Sequence, residues 1–297
     1  MVEMIIESRR RDLGGFEVGR VLPFAQRRMV GPFIFFDHIG PVQMQPNLPR
    51  SADVRPHPHI GLSTVTYLFA GEITHRDSTA VEQPIQPGAV NWMIAGRGIT
   101  HSERFDTLRR SGGPLHGIQA WVALPDDEEE REPAFFHHPA DDLPTFAKRG
   151  MTARLIVGAA YGRTNPVQIH SPMFYVHAEL APGATLAMPN EYAEEAAYVA
   201  AGEIEHDGRT YRAGQMLVFA KGQGGALRAV QPATLMLLGG EPVGPRHIWW
   251  NFVSSRKERI EQAAADWQAG RMQLPQHDDQ EFIPLPEMPK PSPEPLS

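Results

Sequence analysis

The sequence predicts an all-β chain made of two tandem copies of one β unit, with a single short helix near its end. Three observations predict this. Glycine (27) and proline (28) are abundant among 297 residues, which favours many turns and short strands over long helices. The apolar runs are short, β-branched or aromatic, and set off by turn pairs such as Ala70-Gly71 and Pro87-Gly88. Finally, Ala70-Gly71-Glu72-Ile73-Thr74-His75 recurs as Ala201-Gly202-Glu203-Ile204-Glu205-His206, an offset of 131 residues.

Taken in order, residues 13–30 mix turn glycines with short apolar runs. Gly31-Pro32 then leads into Phe33-Ile34-Phe35-Phe36-Asp37-His38, apolar enough for a buried strand. Residues 42–51 carry Pro, Asn and Gln and read as a loop. Strands follow from Leu62 to Leu68, from Ala89 to Ile94 and from Gly117 to Leu124, the last stopped by Pro125. Gly96-Arg97-Gly98 lacks the third glycine and the helix that a dinucleotide fingerprint needs. The acidic run 126–132 reads as a solvated loop or one helical turn.

Prolines 133, 139 and 144 break regular structure between the two copies. The expected domains are 1–135, holding the candidate site, and 136–282, with a proline-rich tail at 283–297. The second domain predicts strands at 154–158, 174–180, 196–201, 216–219 and 234–238. It also predicts a helix at about 255–269: Ser255 and Glu258 fit a capping box, and Ile260, Ala264 and Trp267 recur at helical spacing. The tail composition suits an extended or disordered segment.

Composition excludes several chemistries. With no cysteine there is no disulfide, thiolate metal site, iron–sulfur cluster or cysteine nucleophile. A net charge of -7 argues against a nucleic-acid surface, and the basic spots at Arg9-Arg10-Arg11 and Arg27-Arg28 read as solvated charge. No apolar run reaches membrane-spanning length and no export signal is legible. The expectation is a cytoplasmic monomer.

Chemistry concentrates in residues 55–104. His57-Pro58-His59 opens this stretch and His101-Ser102-Glu103 closes it. In a strand, residues i and i+2 share a face, so each signal presents two ligand-type side chains on one side. If the two strands meet, three imidazoles and a carboxylate converge, a set suited to a first-row transition metal such as iron. Either pair alone is weak, because 13 histidines produce such pairs by chance. The internal repeat sharpens the reading. His57 and His59 map onto Met188 and Asn190, and His101 and Glu103 onto Leu227 and Ala229, while the turn glycines persist. The fold requires the turns; one site requires the ligands. The expectation is one metal per chain, in the first copy.

His57-x-His59 with Gly71 resembles the first motif of the cupins, and Gly88, Gly98 and His101 resemble the second. Thr64 stands at the usual glutamate position, the spacing before His101 is longer, and Phe105 stands where asparagine is common. Those departures resemble the pirin family, in which the carboxylate follows the third histidine by two residues, here Glu103. The likeness extends through LGGFEVGRVLPF, VGPFIFFDHIGP, RPHPHIGLSTVTYL, QPGAVNWMIAGRGITHSE and GIQAWVALP, and more weakly through residues 244–267.

The resemblance implies two tandem cupin jelly rolls with one mononuclear non-haem Fe(II) held by His57, His59, His101 and Glu103, a donor set that other divalent metals (Mn, Co, Ni, Cu, Zn) also fit. It implies one of two functions. The first is an iron-dependent dioxygenase that opens a quercetin-like flavonol, its partners being a small aromatic substrate and dioxygen, with Glu103 as the catalytic base. The second is a regulator whose iron redox state switches contact with a protein partner. A third reading, a cupin without redox chemistry, predicts that zinc or manganese serves as well. Phe36, Trp92, Met93 and Trp121 are candidates for an apolar substrate wall, although such residues also build any β core. Asp37, His38 and His75 are candidates for holding the ligand imidazoles.

Overall fold

The computed structural model describes residues 1–12 and 16–287. The described chain packs as two compact units. One comprises Met1–Arg10, Gly19–Phe35 and Asp141–Pro242; the other comprises residues 11–12, 16–18, Phe36–Ala140 and 243–287. The segment from 243 onward therefore packs with the unit that carries the paired histidines.

In that unit, one sheet has four strands in the order Val54–His59, Ile99–Arg104, Ile73–Asp77, Glu82–Ile85. A second sheet runs Ala134–His138, Val90–Ile94, Leu62–Ala70, Gly113–Ala123, Phe33–Met44. Residues of both sheets, among them Leu68, Leu115, Ile39, Ile73 and Ile85, form one buried apolar cluster. In the other unit the four-stranded order is Thr185–Ala187, Ala226–Ala229, Glu203–His206, Arg209–Arg212. Its larger sheet contains Gln215–Phe219, Glu194–Ala201, Ala233–Gly240 and Met173–Leu180 as neighbours. The two topologies correspond strand for strand, as the repeat predicts, and each is a jelly roll.

The repeated glycines explain why the turns persist. Gly71 (φ 92°) and Gly202 (φ 77°) both adopt left-handed backbone. A Cβ there would lie 2.5 Å from the carbonyl oxygen of Pro114 and 2.0 Å from that of Pro232. Only glycine fits both the torsion and the close approach.

Three expectations need correction. The strand from Phe33 continues to Met44, so the predicted loop begins three residues later. The acidic run is not uniformly solvated: Glu129 is 2% exposed and pairs with the buried Arg246 at 3.1 Å. The helix is present at Lys257–Gln268, but no capping box forms. The Ser255 hydroxyl donates to Glu129 instead, and the Arg256 amide donates to the Ser254 hydroxyl. Ile260 and Trp267 are buried as helical spacing predicts, with Ala263 in place of Ala264. The tail begins in a fixed place, since the Ile283 amide donates to the Pro56 carbonyl and Leu285 packs near Trp267. Residues 288–297 lie outside the described residues. Among the described residues no helix is long and apolar enough to cross a membrane.

Candidate metal centre

The two signal strands do meet. Val54–His59 and Ile99–Arg104 run antiparallel with His101 opposite His57. The register between them shifts, with three steps from His57 to Val54 facing two from His101 to Glu103, so the extra residue of the bulge lies on the Val54–His59 strand. One ligand atom from each of His57, His59 and His101 lies within 4.8 Å of the others, and all three residues are buried. Their rings are 4.4 to 5.1 Å apart. This is the one group of three or more metal-ligating side chains found among the described residues. At the corresponding place in the other unit, Met188, Leu227 and Ala229 are part of an apolar core.

The imidazoles are oriented for ligation. His57 Nδ1 donates to the Arg55 carbonyl at 2.9 Å, and His59 Nδ1 donates to the Asn251 carbonyl at 3.0 Å. Each bond fixes the tautomer and leaves Nε2 with a free lone pair. His101 Nε2 is buried and has no hydrogen-bond partner. Burial drives the His57 pKa down to about 4 and those of His59 and His101 well below 6.5, with mutual repulsion adding to the effect. Three neutral imidazoles that offer lone pairs to one buried point suit a divalent transition metal.

Glu103 follows His101 by two residues, opposite His75 on one side and Val54 on the other. Its carboxylate is not among the atoms that lie within 4.8 Å of one another. Burial pushes its pKa up to about 7. It is therefore poised as a proton acceptor near neutrality.

The larger sheet supplies a wall. Directly opposed strand residues share a face. Trp121, Thr64, Met93 and Phe135 form one such row across four strands. Trp121 packs edge-on to His59 at 4.9 Å, and Phe135 stacks on His75 at 4.4 Å, so this row faces the imidazoles. Two residues along the same face lies a polar row of Gln119, Thr66, Asn91 and His137. Thr66 donates to Gln119 at 2.6 Å, and His137 pairs with Asn91 at 2.7 Å.

The four candidates for the substrate wall fall on different faces. Met93 and Trp121 share the inward face, whereas Trp92 pairs in the row of Val65 and Phe136 and points the other way. Adjacent strand residues cannot line one face. Phe36 is wholly buried. Phe135 and the polar row were missed, because pairing register between distant strands leaves no local signal.

The candidate supports also separate. His75 does reach a ligand: its Nδ1 is 3.4 Å from His101 Nδ1, while its Nε2 bonds Asp77 at 2.9 Å. Asp77 is held in turn by the amide and hydroxyl of Thr79. His38 instead faces His116, Nε2 to Nε2 at 2.8 Å, and Asp37 is buried on the same strand.

Comparison with known proteins agrees with this geometry. The Pirin family matches residues 15–122, and the Pirin C-terminal cupin domain matches residues 175–273. A pirin-like protein of Caulobacter vibrioides is 61% identical over 289 residues, spanning 97% of this chain and all of that protein. Two solved structures of quercetin 2,3-dioxygenase from Acinetobacter baumannii are similar throughout. One has a TM-score of 0.88 and 31% identity, covering 96% of this chain and 95% of its own. The other has a TM-score of 0.84 and 26% identity, covering 92% and 98%. With both halves matched and the histidine cage intact in the first, the chain belongs to the pirin family, whose members pair two cupin domains.

Proposed function

We propose that the chain is an iron-dependent dioxygenase that opens the ring of a planar aromatic enol of the flavonol class. One observation carries the reading: three neutral, buried imidazoles present free Nε2 lone pairs to one point beside an aromatic wall. Held by those three donors, divalent iron would supply Lewis-acid polarisation of the substrate and dioxygen.

The chain's own residues have distinct tasks. Glu103 takes the proton of the substrate enol, for which a pKa of about 7 is well matched. Trp121, Met93 and Phe135 lie against the apolar ring, and the row of Gln119 and Asn91 meets its oxygen substituents. The Nδ2 of Asn91 is buried without a partner, so a substrate oxygen would supply its missing acceptor. Both atoms of dioxygen are incorporated, and a true flavonol loses one carbon as carbon monoxide. The likeness to the Acinetobacter enzymes supports the substrate class.

Oxygen uptake by iron-loaded protein tests the proposal. Quercetin should drive uptake with stoichiometric carbon monoxide. Quercetin turnover under strict anaerobiosis, or none in air by fully loaded protein, would overturn it.

A further inference from the structure

The strand that carries His101 has two working faces. His101 and Glu103 point to one side, so Thr100, Ser102 and Arg104 point to the other. All three of those residues are bound by a segment more than 170 positions later in sequence. The Thr100 hydroxyl donates to the Gln273 carbonyl, and the Ser102 hydroxyl donates to Asp278, both at 2.5 Å. Arg104 is 1% exposed and grips Asp278 through Nε at 2.8 Å and Nη2 at 2.6 Å. Its Nη1 reaches Glu281 at 3.0 Å and Asp53 at 3.3 Å.

The strand that carries His57 and His59 is tied by the same stretch of chain. Asn251 accepts the hydrogen bond that fixes His59, and the Ile283 amide binds the Pro56 carbonyl one residue before His57. Ile60 bridges to Phe252 in parallel fashion. Backbone and side chains of residues 251–283 thus fasten both ligand strands from outside the cage. Ser102 and Arg104 are both buried, and Arg104 also pairs with Asp53, the residue that precedes Val54.

We infer that residues 273–283 are a strap belonging to the metal centre, and that Asp278, through Ser102 and Arg104, is a positioning residue for His101. The bidentate carboxylate–guanidinium contact fixes direction as well as distance. Its loss would let the strand that carries His101 shift against Val54–His59, where the pairing is already interrupted between His57 and Val54. The inference rests on the reading that the three histidines hold a metal, and is independent of the substrate.

The test uses the full chain, metal-free and then titrated with Co(II) alone. Chelator competition gives the Kd, the visible absorption of bound Co(II) reports ligand geometry, and the thermal midpoint of the metal-free protein reports folding. Asp278→Asn should weaken Co(II) binding by about tenfold to a hundredfold, as outer partners of metal ligands typically do. It should also alter the Co(II) spectrum, and Asp278→Glu should restore most of both. Asp266→Asn, which removes an acid paired with the exposed Arg271, should behave as wild type. Should Asp278→Asn fail to fold, Ser102→Ala removes one of the bonds and carries the same test. Wild-type affinity and an unchanged spectrum in the folded variant would overturn the inference alone. A wild-type chain that binds no Co(II) would overturn the metal reading, and the strap's role with it.

Discussion

At the scale of single residues, the cage works through protonation. His57 has a folded pKa of about 4, below its ordinary 6.5, because burial disfavours the charged ring. A depressed pKa contributes stability that is complete above the unfolded value and is lost as pH falls through the folded one. The thermal midpoint of metal-free protein should therefore decline on acidification from about pH 6.5 towards 4. His57→Ala should remove the part of that decline due to this ring, as scanning calorimetry at a series of pH values would reveal. Glu103 shifts in the opposite sense, up to about 7. As a base it works only when ionised, and a dication bound at the adjacent histidines favours the ionised form, so turnover should rise with pH to a plateau reached at or below that value. Glu103→Gln should lower the rate by about 10²- to 10⁴-fold, the usual contribution of a positioned base. Oxygen-electrode rates across the pH range check both statements. The three histidines were legible in the sequence because i, i+2 spacing is a strand property. Asn91, Gln119 and Phe135 were not, since nothing within one strand says which residue of another it will oppose.

At the scale of elements, the strands and turns were the most legible part. Gly71 and Gly202 announced themselves by repetition, and the structure gives the reason in left-handed torsions against nearby carbonyls. Gly61 follows the same logic without a repeat partner to reveal it. It has φ 68°, and a Cβ there would lie 2.0 Å from the Val253 carbonyl oxygen. Gly61→Ala should cost about 1–3 kcal/mol from backbone strain alone, with a further cost from the clash. Urea unfolding measures the loss, and metal affinity should fall with it, because this glycine lies two residues after His59. The late helix was legible by periodicity, but its start was not. Ser255 looked like a cap and is a partner of Glu129, a competition that tertiary contacts decide. Trp267 anchors that helix in a small core with Ile260, Phe252 and Ile60. Trp267→Ala should cost about 3–5 kcal/mol, read from the same denaturant curves.

At the scale of the whole molecule, the internal repeat made the two jelly rolls and the single cage visible before any coordinates. In the second copy the four ligand positions became Met188, Asn190, Leu227 and Ala229, and three of these now fill a core. What the repeat concealed is the course of the chain after Pro242. The described residues from 243 onward pack with the histidine-bearing unit, a non-local arrangement held by two buried arginines, Arg104 and Arg246. Buried arginines give no sequence signal of their own, since charged residues usually sit at the surface. The central claim is one metal ion held by His57, His59 and His101. Anomalous scattering from a crystal of the metal-loaded protein tests it most directly. The account predicts one strong peak per chain, about 2.0–2.2 Å from the Nε2 atoms of those three histidines. A peak elsewhere in the chain, or none at this cage, would contradict it.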